Sequence, residues 1–341
     1  MYKAQWRFQR VFVGEILVVA TSLIFLVTWH SYVVMIPLAY GCGYSLALLW
    51  LLPGSKVRWM NPAKTRNDLR IIYRNLLELF FANQISTFTS FIERFFQSYL
   101  HSGFIAAYGY STLIVNNIGS LMTFRDIFIV PLSDPHQREL RLERILICVS
   151  LLSWPVTGGI ILESSSIVTI LFQRGKFDQE AVGLCTEIIQ LYALALWPSM
   201  MGSPMARLFQ ILDKIRMAAY FNATSATVTG IAGVVLVLWL GYGVRGFVIT
   251  VLASSYATCL TITILLALQG LQLSWWRIAR YAIYAMTITL IATLAGFWSG
   301  AWQDGLWGRL LLTGGVYGAV FVAGYAPLAT RIKRLISPSQ C

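Results

Sequence analysis

Ten apolar stretches, near residues 11 to 30, 32 to 52, 71 to 99, 104 to 132, 145 to 163, 182 to 202, 219 to 240, 245 to 268, 281 to 301 and 308 to 328, fill most of the 341-residue chain. A helix needs about 20 mostly apolar residues to cross the hydrocarbon of a bilayer, and these stretches have that length. In lipid every backbone N–H and C=O must find its partner inside the protein, which leaves only helices and closed barrels. Barrel strands are shorter and alternate in polarity. The stretches therefore predict an all-α fold, a polytopic transmembrane helix bundle of about ten spans. Only 12% of the residues are charged, about half the share in a soluble domain. That excludes a soluble enzyme, a disordered chain, a collagen-like fibre and a small disulfide scaffold. The first stretch is too long for a signal-peptide core and precedes no small-residue cleavage site, so it reads as a retained span.

The formal charge of +12 has a positional explanation. With the N-terminus inside, 19 of the 26 Lys and Arg residues fall in cytoplasmic segments and four (Arg174, Lys176, Arg245, Arg309) on the other side, while Arg74, Arg94 and Arg125 lie within spans. Cytoplasmic enrichment of basic residues sets the orientation of membrane proteins. The asymmetry predicts both termini in the cytoplasm and makes nucleic acid an unneeded partner. Cys42, Cys148, Cys185 and Cys259 lie in apolar runs and Cys341 is the last residue, without metal-type spacing. They read as small core residues.

The longest connections, 53 to 70, 133 to 144, 164 to 181 and 203 to 218, are too short to fold alone. Residues 164 to 181 predict a short outer helix ending at Gly175, a residue suited to the left-handed position after a helix. Asp178 is then placed to cap the next helix, with Glu180 in its first turn.

No catalytic constellation is present. His30, His101 and His136 sit at loops and span ends, and HExxH, GxSxG and P-loop sequences are missing. The expectation is a protein that is not an enzyme and has no cofactor or metal site. Polar residues inside spans stand out instead, because in lipid they face a bundle interior or a wet cavity. In the third span Asn83, Thr87, Ser90, Arg94 and Gln97 recur at steps of four, three, four and three, which keeps them on one helix face. In the fourth, Tyr108, Ser111, Thr112, Gly119, Thr123 and Asp126 fall within roughly 60° of one line, with Asn116 at its margin. A short connection makes the two helices antiparallel neighbours, able to present both stripes to one cavity.

Arg94 lies about 9 Å of helix rise from the outer end of its span and Arg125 about 10 Å from the inner end of the next. Each has two readings. Its guanidinium fork is suited to an anionic cargo such as phosphate. Alternatively Glu93 and Asp126 neutralise the two arginines, or the side chains snorkel to headgroups. Glu15, and the i,i+4 pair Arg74 and Glu78, read as stabilising or snorkelling groups. Gly296/Gly300 and Gly314/Gly318 read as packing positions within one subunit. Trp275, Trp276, Trp302 and Trp307 read as interfacial anchors.

Three segments carry a resemblance. FIERFFQSYLHSGFIAAYGYSTL, residues 91 to 113, resembles the seventh and eighth helices of the MurJ/MviN lipid II flippases, with Glu93 and Arg94 on the family's acidic-Arg pair. LFQRGKFD, residues 171 to 178, is similar to the family's LF-x-RG-x-F loop, which brings in Arg174, Gly175 and Phe177. LYALALWPSMMGSPMARLFQILDKIRMAAYFNA, residues 191 to 223, resembles the tenth helix and its following loop, whose aspartate falls on Asp213. The resemblance implies the MOP flippase and exporter superfamily, with two six-helix lobes around a central cavity.

In that register residues 1 to 52 correspond to a two-helix remnant of the first lobe, 53 to 70 to a basic cytoplasmic linker, and 71 to 268 to a six-helix second lobe. Residues 269 to 341 hold two extra C-terminal helices and a tail. The family's four opening helices have no counterpart, which implies a truncated form, a divergent member or a partner supplying them. A second acidic-Arg pair of the family falls on Ser111 and Thr112.

The function implied is transport of a polyprenyl-diphosphate-linked glycan across the bacterial inner membrane for peptidoglycan synthesis, with membrane lipid and the lipid-linked oligosaccharide as partners. On this reading Arg94 contacts diphosphate, the stripe residues Asn83, Thr87, Ser90 and Gln97 line the headgroup path, and Glu93, Asn116, Arg125 and Asp126 complete the substrate-binding set. The alternatives are an exopolysaccharide or O-antigen intermediate exporter, a MATE-type cation-coupled antiporter in which Glu93 titrates, and a non-transporting scaffold.

Overall fold

The computed structural model describes residues 21, 42, 43, 45, 46, 62–100, 103–123, 137–172, 179–212, 214, 216–300 and 306–336. The predicted spans over 11–30 and 32–52, with Glu15, lie almost wholly outside them. The chain divides into two compact units, Met1–Ile71 and Ile72–Cys341, and nearly all described residues belong to the second. All regular structure among the described residues is helical.

Helix α1 (Pro62–Gln97) opens on proline, whose missing N–H is harmless at the first helical position. Gly103, at φ 91°, stands directly before α2 (Phe104–Thr123). Helix α3 (Arg138–Phe172) runs 35 residues, about 52 Å, with Glu139 in its first turn and Pro155 in its middle. The separate outer helix predicted from residue 164 is not formed. Ser164 to Phe172 continue α3, and Ser164 bonds back to the Ile161 carbonyl at 3.0 Å, so the serine run lengthens the helix instead of ending it.

Next come α4 (Gln179–Tyr192), a 3₁₀ turn at Ala193–Ala195 and α5 (Leu196–Ile211), which together make one spanning segment. Glu180 stands in the first turn of α4 as expected. Helix α6 (Met217–Gly233) widens into a π segment, Val234–Trp239. Gly241 and Gly243, at φ 64° and 55°, then turn the chain into α7 (Gly243–Leu268). Helices α8 (Trp275–Gly300) and α9 (Leu306–Ile336) finish the described chain.

Six segments are long and apolar enough to span a bilayer among the described residues: α3, α4 with α5, α6 with its π segment, α7, α8 and part of α9. Ten were expected. Helices α1 and α2 are not among the six because their polar stripes lower their hydropathy, and the first two predicted spans lie outside the described residues.

Two apolar clusters hold the second unit together. At the end where α3 begins, Leu142, Leu146 and Ile147 pack with Met205, Leu208 and Phe209 of α5, Ile262 and Leu266 of α7, and Ile278 of α8. At the other end Phe96 of α1 joins Phe104 and Val115 of α2, Val168 of α3, Ile188 and Ile189 of α4, and Phe247 of α7. Between spanning helices such packing acts through van der Waals contact, since lipid is as apolar as the core. Hydroxyl pairs add to the α6–α7 seam, with Ser225 and Ser254 at 2.9 Å and Thr261 donating to Thr224 at 3.3 Å.

Candidate functional site

The polar stripe of α1 stays together as a face. Asn83, Thr87, Ser90 and Arg94 are all exposed on the second unit. Thr87 and Ser90 donate to carbonyls one turn back, Asn83 and Ser86, so each hydroxyl oxygen remains available as an acceptor. The Arg94 guanidinium makes no hydrogen bond or ion pair with another described residue. Gln97 departs from the group: it is only 6% exposed and sits beside the Phe96 cluster. At the other end of the stripe an open groove of about 420 Å³, lined by Tyr73, Leu76, Leu77 and Phe80, reaches Asn83. One side of α1 thus passes from apolar to polar along its length.

What orients α1 is its opposite face. Ala82, Thr89 and Phe96 are buried there. Asn222 of α6 donates to the Ala82 carbonyl at 2.9 Å. Gly233 of α6 gives room to the Phe96 ring, where a Cβ would come within 2.2 Å of it. Glu78 accepts from Arg216 at 2.7 Å and lies 3.8 Å from Arg74, so the predicted helical pair is joined by a cation from the turn before α6.

The acidic neighbour of Arg94 points elsewhere. Glu93 is half-buried and within Coulombic reach of Tyr108 on α2 and Tyr192 on α4. Adjacent residues diverge by about 100° on a helix, and Glu93 does not neutralise Arg94. Tyr192 donates to the Asn116 side-chain oxygen at 3.4 Å, so Asn116 faces this tyrosine from its exposed position on α2.

The α2 stripe calls for a correction. Ser111 is fully buried and donates to the Cys185 carbonyl of α4 at 3.2 Å. Gly119 is buried too, and a Cβ there would lie 2.9 Å from Leu196 of α5. Tyr108 packs between Phe104, Tyr192 and Phe247. At Ser111 and Gly119 this face packs against α4 and α5. Its small polar residues serve close helix packing and carbonyl bonding, as is common between spanning helices.

Arg125, Asp126, Arg174, Gly175, Phe177, Asp178 and Asp213 lie outside the described residues. Sequence reasoning missed Tyr192 and Asn222, whose partners stand at distant positions in the chain and leave no local signal. It also missed the ion pair of Glu187 with Arg245. Of the glycine pairs, Gly296 packs inside the subunit, 2.6 Å from Leu162 to an added Cβ, while Gly314 and Gly318 meet open space.

Water access to the stripe is a measurable consequence. Ser90→Cys is expected to react with a membrane-impermeant thiol reagent well above the background of the parent chain, while Gln97→Cys stays protected. A Ser90→Cys variant that resists the reagent in every condition would place that face against lipid.

The chain has known relatives. Residues 12–314 match the family model described as Lipid II flippase MurJ. A probable lipid II flippase MurJ from Synechocystis sp. is 26% identical over 270 residues, 75% of this chain and 46% of that protein. The chain spans about half the length of the curated relative it matches. A solved lipid II flippase MurJ in an inward closed conformation superposes with a TM-score of 0.63 at 13% identity, over 95% of this chain and 68% of that one. An outward-facing multidrug resistance MATE family transporter of the MOP superfamily gives a TM-score of 0.52 at 16% identity, over 78% and 64% of the two chains. Identities this low speak for the fold alone, a helix bundle shared with both transporters. Because the family model runs over most of its length, the chain belongs to the MurJ lipid II flippase family.

Proposed function

We propose that this chain moves a polyprenyl-diphosphate-linked glycan of the lipid II class across a bacterial inner membrane, with both termini in the cytoplasm. The observation that carries the reading is the exposed face of α1, where Arg94 stands unpaired among the described residues in line with Asn83, Thr87 and Ser90. The glycan and diphosphate of such a cargo cannot enter hydrocarbon unaided, and an arginine fork is the side chain suited to phosphate oxygens. The apolar groove at the other end of α1 suits the cargo's tail. Residues 71–268 serve as one lobe and 269–341 as an accessory pair, and rocking of helix bundles exposes the polar face to each side in turn. In a membrane that face requires a polar surround. Exopolysaccharide export and cation antiport share the fold but gain no support from the family match.

The test is reconstitution of the whole chain in liposomes holding a fluorescent polyprenyl-diphosphate glycan. A membrane-impermeant quencher is expected to reach nearly the whole pool in place of the outer-leaflet share. Quenching equal to that of empty liposomes overturns the proposal, and gradient-driven uptake of an organic cation by the same vesicles would favour an antiporter.

A further inference from the structure

Proline inside a helix removes the N–H that would bond the carbonyl four residues back. In α3, Pro155 leaves the Leu151 carbonyl without its helical donor. An unsatisfied backbone group in a spanning helix is costly, and neighbouring helices commonly make it good. Here the donor is the Tyr325 hydroxyl of α9, 2.8 Å from the Leu151 oxygen. One face of α9 repeats this attachment. Tyr317 donates to the carbonyl of Pro155 itself, and Thr313 donates to the Glu163 carboxylate. Thr313, Tyr317 and Tyr325 share one face of α9 and meet α3 in descending order, so the two helices run antiparallel with a register fixed by three hydroxyls. Phe321 packs on the Tyr325 ring at 4.2 Å and steadies it.

Helix α8 closes the group. Gly158 of α3 is the point of closest approach, since a Cβ there would lie 2.4 Å from Thr289, 2.8 Å from Thr293 and 2.8 Å from the Tyr317 hydroxyl. Gly296 of α8 admits Leu162 of α3, and Gly324 of α9 admits Ile288 of α8. Tyr284 of α8 donates to the Gly324 carbonyl at 2.7 Å. Tyr256 of α7 likewise donates to a backbone carbonyl, that of Leu194 in the 3₁₀ turn before α5, at 3.4 Å.

We propose that α9 is a splint for α3. Tyr325 replaces the donor lost at Pro155, and with Tyr317 and Thr313 it holds α3 around the proline in one geometry, so that α3, α8 and α9 move as one body. The movement rests on the transport reading, whereas the splint is a matter of structure and is measured separately.

The splint is tested by thermal unfolding of the purified full chain. Tyr325→Phe is expected to lower the melting temperature by a few degrees, and to lose most of that effect when combined with Pro155→Ala, which restores the helical donor to Leu151. Tyr317→Phe is the control, because its acceptor is not freed by proline, and its penalty should persist in both backgrounds. An equal Tyr325→Phe penalty with and without Pro155 overturns the splint. Where Pro155→Ala fails to fold, Pro155→Gly restores the same donor and gives the same comparison. Disulfides between Leu162→Cys and Gly296→Cys, and between Ile288→Cys and Gly324→Cys, test the single body. Transport within twofold of the reduced protein is expected, and arrest by either cross-link overturns that part. A chain that does not transport at all sinks the transport reading and leaves the unfolding comparison to decide the splint.

Discussion

Arg94→Ala is expected to lower lipid-cargo transport by about tenfold or more, because a charge-assisted hydrogen bond to an anion contributes roughly 1.5–3 kcal/mol. Arg94 is exposed and bonds no other described residue, so its truncation removes nothing from the core, and the melting temperature of the variant should match the parent's. Arg94→Lys keeps the charge but loses the planar fork that grips two oxygens at once. It should retain part of the activity, with the deficit in cargo affinity exceeding the deficit in maximal rate. Complementation of a flippase-depleted bacterial strain gives the first readout and the liposome assay the second. Full activity of the alanine variant at normal expression would remove Arg94 from the transport path.

The largest structural effect belongs to Phe247. Its side chain is fully buried, edge-on to Phe104 at 5.5 Å and to Tyr108 at 5.1 Å. Phe247→Ala leaves a cavity in the cluster that ties α2 and α4 to α7, and such truncations cost about 3–5 kcal/mol. Phe247→Leu keeps most of the volume and should cost roughly a third as much. Unfolding in detergent or bicelles checks both values. A second consequence is local: without the ring, Tyr108 keeps only Phe104 and Tyr192 of its three ring partners. An alanine variant as stable as the parent would mean that lipid or a neighbouring side chain refills the space.

Hydropathy and periodicity made much of this fold readable in advance. The stretches read at 219–240 and 245–268 emerge as Met217–Trp239 and Gly243–Leu268. The Arg74–Glu78 spacing correctly forecast a pair, and the α1 stripe keeps four of its five residues on one exposed face. Periodicity reports which residues share a side, however, and is silent on what that side meets. The stripes of α1 and α2 have the same signature in sequence. In the folded chain one is open, and the other is spent on the Cys185 carbonyl and on the close approach of Leu196 to Gly119. Gln97 falls from the open face because the Phe96 cluster draws the last turn of α1 inward. The sequence predicts a separate helix from residue 164, yet Ser164 bonds back to its own helix and α3 continues to Phe172. The tyrosine and proline partners at 155 and 325 are separated by most of the second unit, so no local pattern announces them.

The wide turn at Val234–Trp239 has a further consequence. Leu240 bonds the carbonyl of Val235, five positions back, which is the mark of one surplus residue absorbed into the coil. Deleting a single residue from this stretch would restore ordinary four-back pairing and leave the phase of α7 untouched. A one-residue deletion elsewhere in α6 would instead rotate Asn222 away from Ala82. This is therefore where members of the lineage can differ in length by one residue without rewiring the bundle.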